Sequence, residues 1–105
     1  MTKRFDLYGS RDRSLDEVAS TLSHLIGTPL ELHDSSYRGG DYYRNALGEP
    51  AEIIVQRNAE DEEGILTEPD HPGHQVIVYV TAPDDALARR LAKSTDLDLL
   101  DSESG

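Results

Sequence analysis

The sequence predicts an α+β domain in which two helices pack on one face of a mostly antiparallel sheet. Three observations lead to this fold class. An apolar stripe at helical spacing lies between Ser14 and Gly27, a β-branched run from Val76 to Val80 precedes a second helical segment, and short alternating segments fill the remaining chain. The predicted order is β-α-β-β-β-β-α-β, which extends the split βαβ plan of ferredoxin-like domains by two inserted strands. We expect a single domain over residues 1–100 and a disordered tail over 101–105.

The first half of the chain contains the best-defined helix. A strand over residues 3–8, with alternating apolar residues, leads through a short loop to Ser14. Ser14 and Glu17 have the spacing of a capping box, and the residues after Ser14 form one apolar stripe: Leu15, Val18, Ala19, Leu22, Leu25 and Ile26. Gly27 favours the left-handed conformation that ends a helix.

The middle of the chain predicts three strands and a long loop. Residues 30–44 form two strands that turn at the Gly39-Gly40 pair, and residues 51–57 form a third. Residues 58–74 have no apolar period and contain six acidic residues, so we expect a long acidic loop. Loops of this length in a compact domain are usually functional or disordered.

The last part of the chain predicts a strand, a helix and a final strand. Residues 76–80 are apolar on both faces, as expected for a central, buried strand. Thr81 caps the predicted second helix, whose inner face comprises Ala82, Ala86, Leu87 and Leu91. Residues 97–100 form a short last strand.

The charge and composition of the chain exclude several classes of function. Its 21 acidic and 10 basic residues give a net charge of −11, which disfavours direct binding to nucleic acid because that affinity requires a basic patch. The absence of cysteine excludes disulfides, thiolate metal sites and a cysteine nucleophile. No apolar run is long enough to span a membrane and no apolar signal segment starts the chain, so we expect a cytoplasmic protein.

A tyrosine- and arginine-rich turn is the first candidate binding site. Aromatic and arginine side chains dominate the energetic centres of protein interfaces. Around Gly39-Gly40 the sequence contains five such residues: Tyr37, Arg38, Tyr42, Tyr43 and Arg44. Successive strand residues point to opposite faces, so Tyr42 and Tyr43 cannot both belong to one patch, and one of them is expected to pack inward. Ordinary strand residues around a tight turn are the alternative interpretation.

The acidic loop is the second candidate, and it suggests a basic protein partner. Residues 60–70 contain six acids and no base, and the four at the start of this stretch are Glu60, Asp61, Glu62 and Glu63. Such carboxylates can imitate a phosphate track and dock into the cleft of a basic enzyme, because complementary potentials speed encounter and select partners. The alternative interpretation is an ordinary solvated loop.

No residue pattern predicts a catalytic, cofactor or metal site. His71 and His74 flank a Pro-Gly pair beside Asp70, but a zinc site needs three or four ligands in defined geometry. The paired acids Asp16-Glu17 and Asp84-Asp85 occupy first helical turns, where negative charge stabilises the helix. The chain has no P-loop, dinucleotide-binding or nucleophile-elbow motif. We therefore expect no catalytic residue, no cofactor and no metal.

The stretch from Ser36 to Tyr43, together with the size, acidity and cysteine-free α+β layout, resembles a group of bacterial proteins. These are the small acidic immunity proteins of polymorphic toxin and contact-dependent inhibition systems, found in actinobacteria and other bacteria. The same stretch also resembles uncharacterised actinobacterial proteins. The resemblance to immunity proteins implies a cytoplasmic inhibitor that occludes the active site of a toxin, and it implies no catalytic residue.

Three hypotheses follow from the sequence. The first is a non-catalytic immunity or inhibitor protein that binds a basic toxin or nuclease through the turn and the acidic loop. The second is a ligand-binding domain or enzyme in which Arg38, Arg44, Tyr43 and His33 line a pocket for an anionic metabolite. The third is a homodimer that uses the hairpin as its interface.

Overall fold

The computed structural model describes residues 4–35, 40–45, 51–60, 62–81, 83, 85–94 and 97–104. Within these ranges the elements follow the predicted order and confirm the α+β fold class. They are β1 (Arg4–Ser10), α1 (Leu15–Ile26), β2 (Leu30–Ser35), β3 (Gly40–Asn45), β4 (Glu52–Arg57), β5 (Val76–Thr81), α2 (Asp85–Ala92) and β6 (Asp98–Ser104).

The strands form one antiparallel sheet of six strands in the order β2-β3-β4-β5-β1-β6. Strands β2 to β5 lie next to each other in chain order, whereas β1 lies between β5 and β6. Helix α1 connects β1 to β2 across the intervening strands, and α2 connects β5 to β6. This is the split βαβ plan with two extra strands.

Both helices cover the same face of the sheet. Tyr8, Val78, Val55 and Tyr43 are cross-strand neighbours and therefore point to one side. They pack in a single core with the apolar stripes of the two helices: Leu15, Val18, Leu22 and Ile26 from α1, and Leu87 and Leu91 from α2. The apolar stripe predicted for α1 therefore packs against this face of the sheet.

Helix α1 has the predicted ends. The Ser14 hydroxyl accepts a hydrogen bond from the Glu17 backbone N–H at 3.2 Å, and the Glu17 carboxylate accepts one from the Ser14 N–H at 3.2 Å. Gly27 has φ 70° and ends the helix. The bond to Ser14 lowers the pKa of the Glu17 carboxyl because it stabilises the charged form.

The end of the chain differs from the sequence prediction. Helix α2 begins at Asp85, and its buried apolar residues are Leu87, Ala88 and Leu91, while Ala86 is exposed. The prediction of Ala86 as an inner-face residue was wrong because it placed the helix directly after Thr81 as its cap, whereas Thr81 is the last residue of β5. Ala82 lies outside the described residues. Strand β6 continues to Ser104, so residues 101–104 pair with β1 where a disordered tail was predicted.

A buried amide stabilises the start of β4. Asn45 is fully buried at the end of β3. Its Nδ2 donates a hydrogen bond to the Ala51 carbonyl, and its Oδ1 accepts one from the Ile53 N–H at 3.0 Å.

Within the part of the chain that the structure describes, no helix is long and apolar enough to cross a membrane.

Candidate functional site

The face of the sheet opposite the helices, here called the open face, carries the candidate site. The pairs Leu7–Tyr79, Tyr79–Ile54 and Ile77–Gln56 are cross-strand neighbours that alternate with the core residues. Tyr42 pairs with Gln56 and therefore also lies on the open face. Ile77 and Gln56 are nonetheless almost fully buried, so another part of the chain covers this region.

The described residues between 58 and 75, here called the Asn58 loop, have a defined structure, and Glu68 and His74 of this loop lie on the open face. The side-chain amide of Asn58 donates hydrogen bonds to the carbonyls of Glu68, His71 and His74 at 3.3, 2.9 and 3.1 Å. Its Oδ1 accepts a bond from the Glu68 N–H at 2.9 Å. One side chain therefore organises the described part of the predicted acidic loop. The acidic composition of the loop gave no indication of this order.

A glycine on β1 gives the Asn58 loop room to pack. A Cβ atom placed on Gly9 would lie 2.8 Å from Leu100 Cδ1 and 3.1 Å from His74 Cβ. His74 is buried, and its Nε2 lies 2.9 Å from Asp98 Oδ2 at the start of β6. Arg11 also contacts this carboxylate, with Nε 3.9 Å from Asp98 Oδ2. These contacts attach the end of the loop to β1 and β6.

The two histidines of the loop do not form part of a metal site in the described residues. The rings of His71 and His74 meet edge to face, with centroids 6.1 Å apart. Across the described ranges, no group of three or more His, Asp or Glu side chains is arranged to hold a metal ion. The contact of His74 with Asp98 is a structural one that joins the loop to the sheet.

The tyrosines of the predicted patch lie on opposite faces of the sheet. Tyr42 is on the open face and stacks on His33, with ring centroids 5.4 Å apart and 23° between the planes. Arg44 is exposed on the same face. Tyr43 packs against the core on the helix face, and its hydroxyl donates a 2.6 Å hydrogen bond to Asp16 Oδ1. Tyr37 and Arg38 lie outside the described residues.

The bond between Tyr43 and Asp16 predicts a pH-dependent contribution to stability. Donation to Asp16, reinforced by partial burial, raises the pKa of the Tyr43 hydroxyl. Because the folded-state pKa lies above the unfolded value of about 10, the contribution is complete below that pH and is lost as the pH rises through the folded pKa. We expect Tyr43→Phe to lower the free energy of unfolding by about 0.5–1 kcal/mol at pH 7.

Urea denaturation of both proteins at several pH values tests this expectation. The difference between wild type and Tyr43→Phe should shrink above pH ~10. Tyr42→Phe, at the neighbouring position on the open face, serves as the matched control for loss of a tyrosine hydroxyl. A difference that is constant from pH 7 to pH ~10.5 would show that the hydroxyl bond does not contribute.

The acidic loop and the hairpin lie at the same end of the sheet. Tyr42 pairs with Gln56 just before Asn58, and Ser35 at the end of β2 pairs with Gly40 at the start of β3. The described acids at the start of the Asn58 loop, Glu60, Glu62 and Glu63, are exposed, and Glu60 forms a β-bridge with Leu66. Asp61 lies outside the described residues. The register thus brings Tyr42 and the start of the acidic loop to one end of the sheet.

A groove on the open face was not indicated by the sequence. It is a cavity of about 260 Å³ lined by Phe5, Leu7 and Tyr79, here called its floor, by the three acids Glu68, Asp101 and Glu103, here called its rim, and by Asp6, which pairs with the core residue Val80. We call it the Phe5 groove. Phe5 is 45% exposed, and the Tyr79 hydroxyl donates a 2.6 Å hydrogen bond to Glu68 Oε1. The sequence analysis had assigned Glu68 only to the acidic loop, because a bond between loop and strand has no sequence pattern.

Two further cavities lie on other parts of the described surface. One of about 380 Å³ lies beside α2 and is lined by Arg4, Asp85, Ala88, Arg89 and Ala92. The other, of about 280 Å³, lies at the start of α1 and is lined by Ser14, Leu15, Asp16, Arg57, Gln75 and Val76. Tyr43, Arg44 and His33, the described residues proposed for an anionic-metabolite pocket, line none of the three cavities.

Compared with protein-family models, curated proteins and solved structures, the chain gives no match. Functional proposals for this chain therefore depend on its own geometry and charge.

Proposed function

We propose that this protein is a non-catalytic binding protein whose acidic open face docks on a basic protein partner. The class of partner that fits best is a toxin or nuclease that the chain inhibits, as an immunity protein does. The observation that carries the proposal is the Asn58 loop. It presents exposed carboxylates on a defined backbone, at the same end of the sheet as Tyr42.

The ordering of the loop supports binding through its acids. A loop that is already held in one conformation loses less conformational entropy when it binds, which favours affinity. Glu60, Glu62 and Glu63 are exposed on this loop, and Asp70 adds a further exposed acid. The net charge of −11 would steer a basic partner towards the whole molecule, while the ordered loop would select its orientation.

Charge reversal on the loop tests the proposal. The immobilised chain is incubated with cell lysate, and with the product of an adjacent toxin-like gene where there is one, at about 50 mM and about 500 mM salt. We expect a basic protein to be retained at low salt and released at high salt. Glu62→Lys should weaken its binding about tenfold, since one favourable charge becomes unfavourable.

Asp85→Lys is the matched control, because Asp85 is an exposed acid on α2, on the opposite face of the sheet, and the charge change is identical. We expect it to retain the partner at nearly the wild-type level. Equal weakening by Asp85→Lys and Glu62→Lys would show that net charge, and not the Asn58 loop, determines binding. Retention of no basic protein under either salt condition would contradict the proposed function.

A further inference from the structure

The Phe5 groove combines an aromatic floor with an acidic rim. Phe5 pairs with Glu103 and Leu7 with Asp101 across β1 and β6, while Leu7 pairs with Tyr79 across β1 and β5. The three acids therefore stand on two sides of the groove, Glu68 from the Asn58 loop and the other two from β6. Such an arrangement suits a ligand that is apolar along its length and positively charged at its end.

The ion pairs of three arginines involve acids other than the rim carboxylates, so these ion pairs do not neutralise the rim. Arg4, Arg11 and Arg13 pair with Asp6, Asp98 and Glu17 respectively, at 2.9, 3.9 and 3.4 Å. The rim carboxylates have other partners: Glu68 accepts from the Tyr79 hydroxyl, and Asp101 accepts from the Ser102 N–H at 2.9 Å. Both bonds fix the carboxylates in position and leave their negative charge in place.

The residues of the floor also contribute to ligand binding, through their aromatic and apolar surface. Phe5 is the only phenylalanine of the chain, and it is 45% exposed on a sheet face instead of packing in the core. Aromatic rings attract cations to their faces, and the planar guanidinium of arginine also stacks on them. The methylene stem of an arginine would pack on Leu7 and Tyr79 while its head reached the rim.

The size of the groove selects one side chain. Pockets for drug-sized ligands range from about 300 to about 1,000 Å³, whereas this groove measures about 260 Å³. Arginine fits the rim better than lysine because its fork of N–H groups can contact carboxylates on two sides. We propose that the Phe5 groove binds an arginine side chain of the protein partner. The identity of the ligand as part of a protein rests on the proposed function, whereas recognition of the guanidinium does not.

A blocked peptide tests the groove without the partner. ¹⁵N-labelled protein is titrated with acetyl-Gly-Arg-Gly-amide, and with the matched citrulline peptide, which has the same shape and no charge. We expect saturable amide shifts centred on Phe5, Leu7, Tyr79 and Asp101 with the arginine peptide and none with the citrulline peptide. For one side chain the dissociation constant should be in the millimolar range.

Two variants connect the shifts to the groove. Glu68→Gln keeps the size of the side chain and an acceptor for Tyr79, and we expect it to weaken peptide binding about fivefold. Phe5→Leu should weaken binding by a similar factor through loss of the ring. Glu31→Gln, on the opposite edge of the sheet, should leave binding unchanged.

The outcomes separate this inference from the proposed function. Shifts spread evenly over the acidic surface, or equal shifts with citrulline, would overturn the arginine site. Partner binding that responds to Glu62→Lys but not to Phe5→Leu or Glu68→Gln would overturn the groove as part of the interface and leave the proposed function intact. Arginine shifts centred on the groove, in a protein that retains no basic partner, would support the guanidinium site and contradict the proposed function.

Discussion

Replacing Asn58 by aspartate is expected to lower the free energy of unfolding by about 3 kcal/mol. In the native protein the Asn58 amide donates to three backbone carbonyls. A carboxylate at this position has no N–H to donate and places negative charge against the same three oxygens. The bond from the Glu68 N–H to Oδ1 would remain, but it joins only one residue of the loop to Asn58.

Two measurements follow the effect of Asn58→Asp. Urea denaturation gives the loss of stability, and amide hydrogen exchange gives its location. We expect faster exchange at His71, His74 and Gln75, whose N–H groups bond to backbone carbonyls in or beside the loop. Gln56 and Ile77 beneath the loop should also exchange faster.

Gln75→Glu is the matched control for this substitution. It makes the same change from amide to carboxylate in the same loop, but among the described residues Gln75 Nε2 donates to one carbonyl, that of Arg13, and the side chain is exposed. We expect it to cost less than about 1 kcal/mol. If the two variants lose equal stability, Asn58 does not organise the loop in the way its hydrogen bonds indicate.

Replacing Asn45 by leucine is the second change for which we expect a loss of about 3 kcal/mol. Leucine has the same branching and the same number of side-chain heavy atoms as asparagine, but it leaves the Ala51 carbonyl and the Ile53 N–H without their bonds to this side chain. Asn45 is fully buried, so water does not replace these bonds without opening the structure.

Thermal and urea denaturation measure the loss, and Arg44→Leu provides the control. Arg44 is the adjacent residue of β3 and is exposed on the open face. Its replacement by leucine is expected to change stability by no more than about 0.5 kcal/mol. A loss below 0.5 kcal/mol for Asn45→Leu as well would show that the two hydrogen bonds do not stabilise the start of β4.

Local patterns of the sequence were sufficient to predict the order of the helices and strands. Helix α1 could be predicted from both of its ends, because the capping box and the C-terminal glycine are each local signals that involve residues a few positions apart. Strand β5 could be predicted because its residues are apolar on both faces. The start of α2 and the length of β6 could not, since they depend on pairing with β1 and on contacts with the rest of the fold.

The candidate site could be predicted only in part, for the same physical reason. Strand alternation required Tyr42 and Tyr43 to lie on opposite faces, but only the pairing of Tyr43 with Val55 decides which one packs inward. The role of Asn58 depends on carbonyls ten to sixteen residues further along the chain. Phe5 looked like an ordinary strand residue, and its exposure is visible only once both neighbouring strands are in place.

The position of β1 between β5 and β6 has a consequence for how the molecule folds. Strands β2 to β5 can pair one after another through contacts close in sequence. Strand β1, by contrast, pairs with β5 and β6, which come from the far end of the chain. Bringing such distant segments together has a larger entropic cost and slows folding. The Phe5 groove is built from β1, β5, β6 and the Asn58 loop, so it exists only when the sheet is complete. A ligand that binds there recognises the finished fold alone and stabilises it by mass action.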